Sequence, residues 1–101
     1  MANEEDLKRL KDTRSCLGGD LEDADLIEAE LRAANLTGAN LYEANLSGAY
    51  LSGDYLSEAG LSEANLEEAD LRGAKIDSAD LTNASLCNTV MPDGQRISRD
   101  C

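Results

Sequence analysis

The stretch ANLTGANLYEANLSGAYL, residues 34–51, places a leucine at Leu36, Leu41, Leu46 and Leu51, one every fifth position. Neither regular element accepts that period. An α-helix turns through about 100° per residue, so steps of five rotate by about 140° and scatter the leucines around the whole cylinder. A strand alternates its side chains, so an odd step throws successive leucines onto opposite faces. A chain that turns a corner once per five residues resolves the conflict, because every leucine then points to a common axis.

Working outward, the register runs unbroken through Leu21, Leu26, Leu31, Leu36, Leu41, Leu46, Leu51, Leu56, Leu61, Leu66, Leu71, Ile76, Leu81 and Leu86. These residues are the predicted core. Two positions before each sits a small residue, Gly19 and then alanine from Ala24 to Ala84, with Asp54 as the exception. A five-residue unit cannot bury its own apolar face and must stack on its neighbours. Alanine at the second inward position keeps the walls close. An inward carboxylate at Asp54 needs a hydrogen-bond partner or a raised pKa, which predicts a local bulge, solvent access or a bond to backbone.

The tandem A(D/N)LXX pattern, as in Ala34-Asn35-Leu36-Thr37-Gly38 followed by Ala39-Asn40-Leu41-Tyr42-Glu43, resembles the pentapeptide-repeat family over residues 14–91. The resemblance implies an all-β solenoid: a right-handed quadrilateral β-helix with four pentapeptides per coil and about four coils. Residues twenty apart would stack, with Leu21, Leu41, Leu61 and Leu81 in one interior column. At about 4.8 Å per rung the repeat region would be only about 19 Å long. Ser15-Cys16 opening the repeats and Cys87 to Gly94 closing them are similar to short members from cyanobacteria and the plant thylakoid lumen.

The 101 residues suffice for one domain. Residues 1–13 are read as an N-terminal cap, with Asn3 as N-cap, Glu4, Glu5 and Asp6 at the positive end of a helix dipole, and a short helix over 4–12. Residues 92–101 are read as a C-terminal cap that begins in a Pro-Asp-Gly turn. Cys87 and Cys101 are the disulfide candidate, with two free thiols as the alternative. Cys16 is placed inward and unpaired. Localisation follows the same fork: thylakoid lumen or periplasm with the disulfide, cytoplasm without it. The acidic start Met1 to Asp6 is no export signal, although a chain trimmed after export would begin the same way.

Twenty-one acidic against 9 basic residues give a formal charge of −12, which argues against nucleic acid or an anionic membrane as partner and fits a basic protein. No apolar run approaches the roughly 18 residues of a membrane span. The chain has no His, so imidazole catalysis and His metal sites are absent. It shows no zinc-ligand cysteine spacing and no phosphate-binding glycine loop. The acidic columns Asp23, Glu43, Glu63 and Glu28, Glu68 are too regular for a closed oxygen cage, so no metal or cofactor is expected. Tyr42, Tyr50 and Tyr55 point outward as possible interface residues, and Tyr55 stacks with Lys75 one coil on.

The functional expectation is therefore a monomeric, non-catalytic structural or interaction protein that presents a rigid acidic surface to an unknown protein partner. One alternative, which the resemblance brings, is a DNA mimic acting on DNA gyrase; the short rod and the absence of Phe speak against it. Another is an engineered repeat scaffold, against which Asp54, Tyr55 and Gly60 stand as irregularities.

Overall fold

The computed structural model describes residues 1–99 and 101; Asp100, within the predicted closing segment 92–101, lies outside the described residues. The corner that the sequence demands is a β-turn. The N–H of the small residue donates to the leucine carbonyl three positions back, as Ala24 does to Leu21 at 3.0 Å and Ala44 to Leu41 at 3.0 Å. The residue before it is left-handed: every fifth position from Gly18 to Asn88 has φ between 56° and 73°. Positive φ at the third residue of a turn is the type II pattern, which favours Gly or Asn there. Where Asn or Asp precedes the leucine, it stiffens the same corner by accepting the N–H two residues on. Asn40 Oδ1 accepts from Tyr42 at 3.0 Å, Asn65 from Glu67 at 2.9 Å and Asp80 from Thr82 at 3.0 Å. That local bond explains the polar half of the repeat.

Coils are joined by parallel pairing at a separation of twenty. Among the described residues, twelve single-residue bridges run from Ser15–Asn35 to Asp70–Val90. The leucine N–H donates to the next coil, as Leu41 does to the Gly60 carbonyl at 2.7 Å, and the following coil answers, as Asn40 does to Gly19 at 2.8 Å. Four sides result. Side 1 carries Leu21, Leu41, Leu61 and Leu81; side 2 carries Leu26, Leu46, Leu66 and Leu86; side 3 carries Leu31, Leu51, Leu71 and Met91; side 4 carries Cys16, Leu36, Leu56 and Ile76. Each side is too short for regular strands, and among the described residues these occur at the end: β1 (Leu86–Val90) and β2 (Arg96–Arg99), paired antiparallel.

The leucines from Leu21 to Leu71, with Leu86, are buried and form one continuous core with the alanines. Two predicted core positions depart from this: Ile76 and Leu81 are only half-buried. No coil stacks on them, because Arg96, twenty beyond Ile76, instead pairs with Val90. At the opposite end α1 (Glu4–Thr13) closes the tube, one residue longer than the expected 4–12. Asn3 caps it by accepting the Asp6 N–H at 3.0 Å, and Leu10 is fully buried against the first coil. Two bonds dock the helix start: Asn3 N–H to the Asp20 carbonyl at 2.9 Å and Asp20 N–H to the Asp6 carboxylate at 2.9 Å. The molecule measures 33 × 24 × 23 Å.

Candidate functional site

Twenty-residue stacking sorts the charges by side. Side 1 carries Asp20, Glu22, Asp23, Glu43, Glu63 and Asp80, side 2 carries Asp25, Glu28, Glu67 and Glu68, and neither carries a lysine or arginine. Sides 3 and 4 are mixed, with Arg14, Arg32, Arg72 and Lys75 among Glu30, Glu58, Asp70 and Asp77. Among the described residues, the cations lying against these sides are the Met1 ammonium, 3.5 Å from Glu22 and 3.9 Å from Asp23, and, at the end of side 2, the Arg96 and Arg99 guanidinium groups of β2, which donate to the Asn88 and Ala84 carbonyls at 3.1 and 3.4 Å. The field is visible at Tyr42, whose phenol is pushed up chiefly by the neighbouring Glu43 charge, then by partial burial and by Glu63, Glu22 and Asp23. Ile27, half exposed, is the large apolar residue on side 2.

Backbone geometry at the acidic corners is informative. Asp23, Glu28, Glu43, Glu63 and Glu68 all occupy the left-handed corner position, with φ from 56° to 64°. Gly38, Gly48, Gly53 and Gly73 show the residue that the corner prefers. A glutamate there bears a strain of about 1 kcal/mol or more that glycine avoids.

The three tyrosines do not form one patch. Tyr42 lies on side 1, Tyr50 on side 3 and Tyr55 on side 4, each 40–44% exposed. Two of them serve as platforms for cations. The Lys75 ammonium lies 5.1 Å from the Tyr55 ring centre, as the register suggested, and the Arg32 guanidinium lies 4.9 Å from Tyr50 while pairing with Glu30 at 2.6 Å. The Arg32 contact was hidden because the side chain leans across its side to the neighbouring coil.

Asp54 is fully buried between Ala34 and Ala74. Of the three expected outcomes, the backbone bond is the one found: Oδ1 accepts the Ala34 N–H at 2.9 Å. There is no bulge, since Tyr55 N–H still reaches the Ala34 carbonyl at 2.9 Å, and no solvent access. Oδ2 has no partner. Burial drives its pKa up to about 8, against the opposing pull of the Ala34 bond and the Arg14 charge. Cys16 is buried too, its thiol donating to the Asp6 carbonyl at 3.4 Å with the Arg9 guanidinium 3.6 Å away. Cys87 and Cys101 are joined by a disulfide, their Cα atoms 5.0 Å apart. Among the described residues no group of three or more Cys, Asp or Glu converges to hold a metal, and no helix is long and apolar enough to cross a membrane.

The family described as Pentapeptide repeats matches residues 20–53 and 55–91, in 8 copies. The break falls on Asp54. No curated protein matches the chain. Among solved structures, the chain is similar to HetL of the cyanobacterium Nostoc sp. PCC 7120, a pentapeptide repeat protein involved in heterocyst differentiation regulation. That likeness has 42% identity, covers 82% of this chain and 40% of HetL, and has a TM-score of 0.52. The chain thus spans less than half the length of HetL. It is also similar to alr5209 of Nostoc PCC 7120, with 26% identity, 99% and 88% coverage and a TM-score of 0.49. A third is Rfr23 of Cyanothece 51142, with 30% identity, 85% and 79% coverage and a TM-score of 0.42.

Proposed function

Because this chain belongs to the pentapeptide-repeat family, whose members wind as right-handed quadrilateral β-helices, we propose that it is a non-catalytic interaction module offering sides 1 and 2 as a rigid acidic face to a basic protein surface. In this reading about four coils over residues 14–91 form the body, residues 1–13 and 92–101 close its ends, and the module acts as a monomer. The corner glutamates carry the reading. Glycine would relieve the strain at Glu43 and Glu63, so this charge is carried at a cost to folding, which Glu63 offsets in part by accepting the Asn83 amide at 3.1 Å. A preformed face also binds without the ordering cost that a flexible acidic loop would incur. The disulfide favours an oxidising compartment such as a thylakoid lumen or periplasm.

The test is the double variant Glu43→Gly/Glu63→Gly, compared with wild type and with the mixed-side control Arg72→Glu in affinity capture from the source cell. The double variant is expected to unfold at higher denaturant and to lose the partner that wild type and control retain. Identical partners for all three proteins would overturn the reading. Inhibition of gyrase supercoiling at micromolar protein would replace it with DNA mimicry.

A further inference from the structure

The far end of the tube is only half closed. Throughout the solenoid, the N–H groups of the leucine and of the left-handed corner residue donate to the coil above, as Leu61 does to Asp80 and Glu63 to Thr82. On the last coil the equivalent donors are Ile76, Ser78, Leu81 and Asn83. Among the described residues none of these four amides has an acceptor. The tail does not supply one: β2 pairs with β1, on the continuation of side 2, and the Cys87–Cys101 disulfide holds the chain end there. Sides 4 and 1 therefore end in a bare ladder above the half-buried side chains of Ile76 and Leu81.

We propose that this edge is a strand-addition site that takes an extended basic segment of a partner protein as the missing half of the next coil. The edge itself specifies the occupant. Four amides aimed along the tube axis call for the carbonyls of a parallel strand, since unpaired strand edges template pairing. Ile76 and Leu81, five residues apart, call for two aliphatic side chains at the same spacing. Asp77 and Asp80 flank the ladder outside, exposed, with Glu58 and Glu63 one coil below. Of the nearby cations, Lys75 is drawn over the Tyr55 ring and Arg99 is held on the Ala84 carbonyl at 3.4 Å. Lysine or arginine at the outward positions of the added strand meets that charge. A second copy of this chain is the poorer occupant: its helical end is sealed by α1, and its open end carries the same carboxylates. The inference goes beyond the acidic face of sides 1 and 2, because it concerns a backbone edge rather than a side surface.

The test uses isotope-labelled full-length protein, amide exchange by NMR, and the synthetic peptide Ala-Lys-Leu-Lys-Gly-Ala-Lys-Leu-Lys-Gly. The Ile76, Ser78, Leu81 and Asn83 amides are expected to exchange fast in the free protein and to slow about tenfold or more when the peptide is added. A peptide with backbone N-methylation, a peptide with glutamate for lysine, and the variant Asp77→Lys should each weaken that protection. The proposal is overturned if these four amides are already protected in the free protein. It is also overturned if the peptide protects other amides instead, or if protection grows with protein concentration alone as a dimer forms.

Discussion

Gly19 stands where the repeat otherwise calls for alanine, and the reason is one atom. A methyl group built there would lie 2.1 Å from the Cys16 Sγ, so the sulfur occupies the space that alanine fills on other coils. Gly19→Ala moves toward the repeat pattern yet should cost about 1–3 kcal/mol by overpacking. In urea denaturation the double variant Cys16→Ala/Gly19→Ala should recover much of that loss, and simple additivity of the two effects would refute the account. Asp54 is the other residue-scale anomaly. Its folded carboxyl keeps a proton to about pH 8, whereas the unfolded chain releases it near 3.8. Its contribution is therefore fully present below about pH 4 and is lost as the pH rises through 8, at up to about 1.4 kcal/mol per pH unit. Asp54→Ala should remove this slope and gain on the order of 4 kcal/mol over wild type near pH 8. The Ala34 N–H meanwhile keeps its turn bond to Leu31 at 3.1 Å. Equal pH dependence of the two proteins between pH 4 and 8 would count against the buried, unpaired carboxyl.

At the scale of elements, the two ends are closed by different means. The helix α1 docks by packing and backbone bonds, with Leu10 as its anchor. β1 is anchored by buried Leu86 and Val90, but β2 is too small to hold by packing alone, with Ile97 as its half-buried contact with the core. The Cys87–Cys101 disulfide ties it down, closing a loop with a sequence separation of 14. Replacing Cys101 with Ser should lower stability by about 3 kcal/mol. Thermal unfolding of wild type in excess dithiothreitol should coincide with that of the variant without reductant. A wild-type curve that ignores reductant would show that the hairpin does not need the bond.

Across the whole molecule, the formal charge of −12 is concentrated on two adjacent sides, where carboxylates repeat along a column at the rung spacing of about 4.8 Å. Like charges at that distance repel, and salt screens them. Raising NaCl from ~0.02 to ~0.2 M should therefore move the denaturation midpoint upward, by roughly a few tenths of a kcal/mol in stability. A midpoint that falls with salt would mean that the ion pairs on sides 3 and 4 dominate instead.

How far the fold could be read from residues alone depends on how local each cause is. The five-residue period, the inward leucine and alanine, the outward tyrosines and the N-terminal helix follow from spacing and capping within a few positions, so they are legible in the chain. Sequence proximity picked out Cys87 and Cys101, and the fold places them together. Other features arise only when residues twenty apart meet or when the stack stops. The repeat pattern alone counts Ile76 and Leu81 as core, but burial needs a further coil above them, and the hairpin spends the remaining chain on other sides. It allows Asp54 three outcomes, and the N–H of Ala34 one coil away selects one. It accepts Gly19 as one more small residue, where the Cys16 sulfur makes glycine a necessity. A repeat states its own period, but contacts between coils and the boundary of the stack decide which copies lie inside, which face water and which edge is left open.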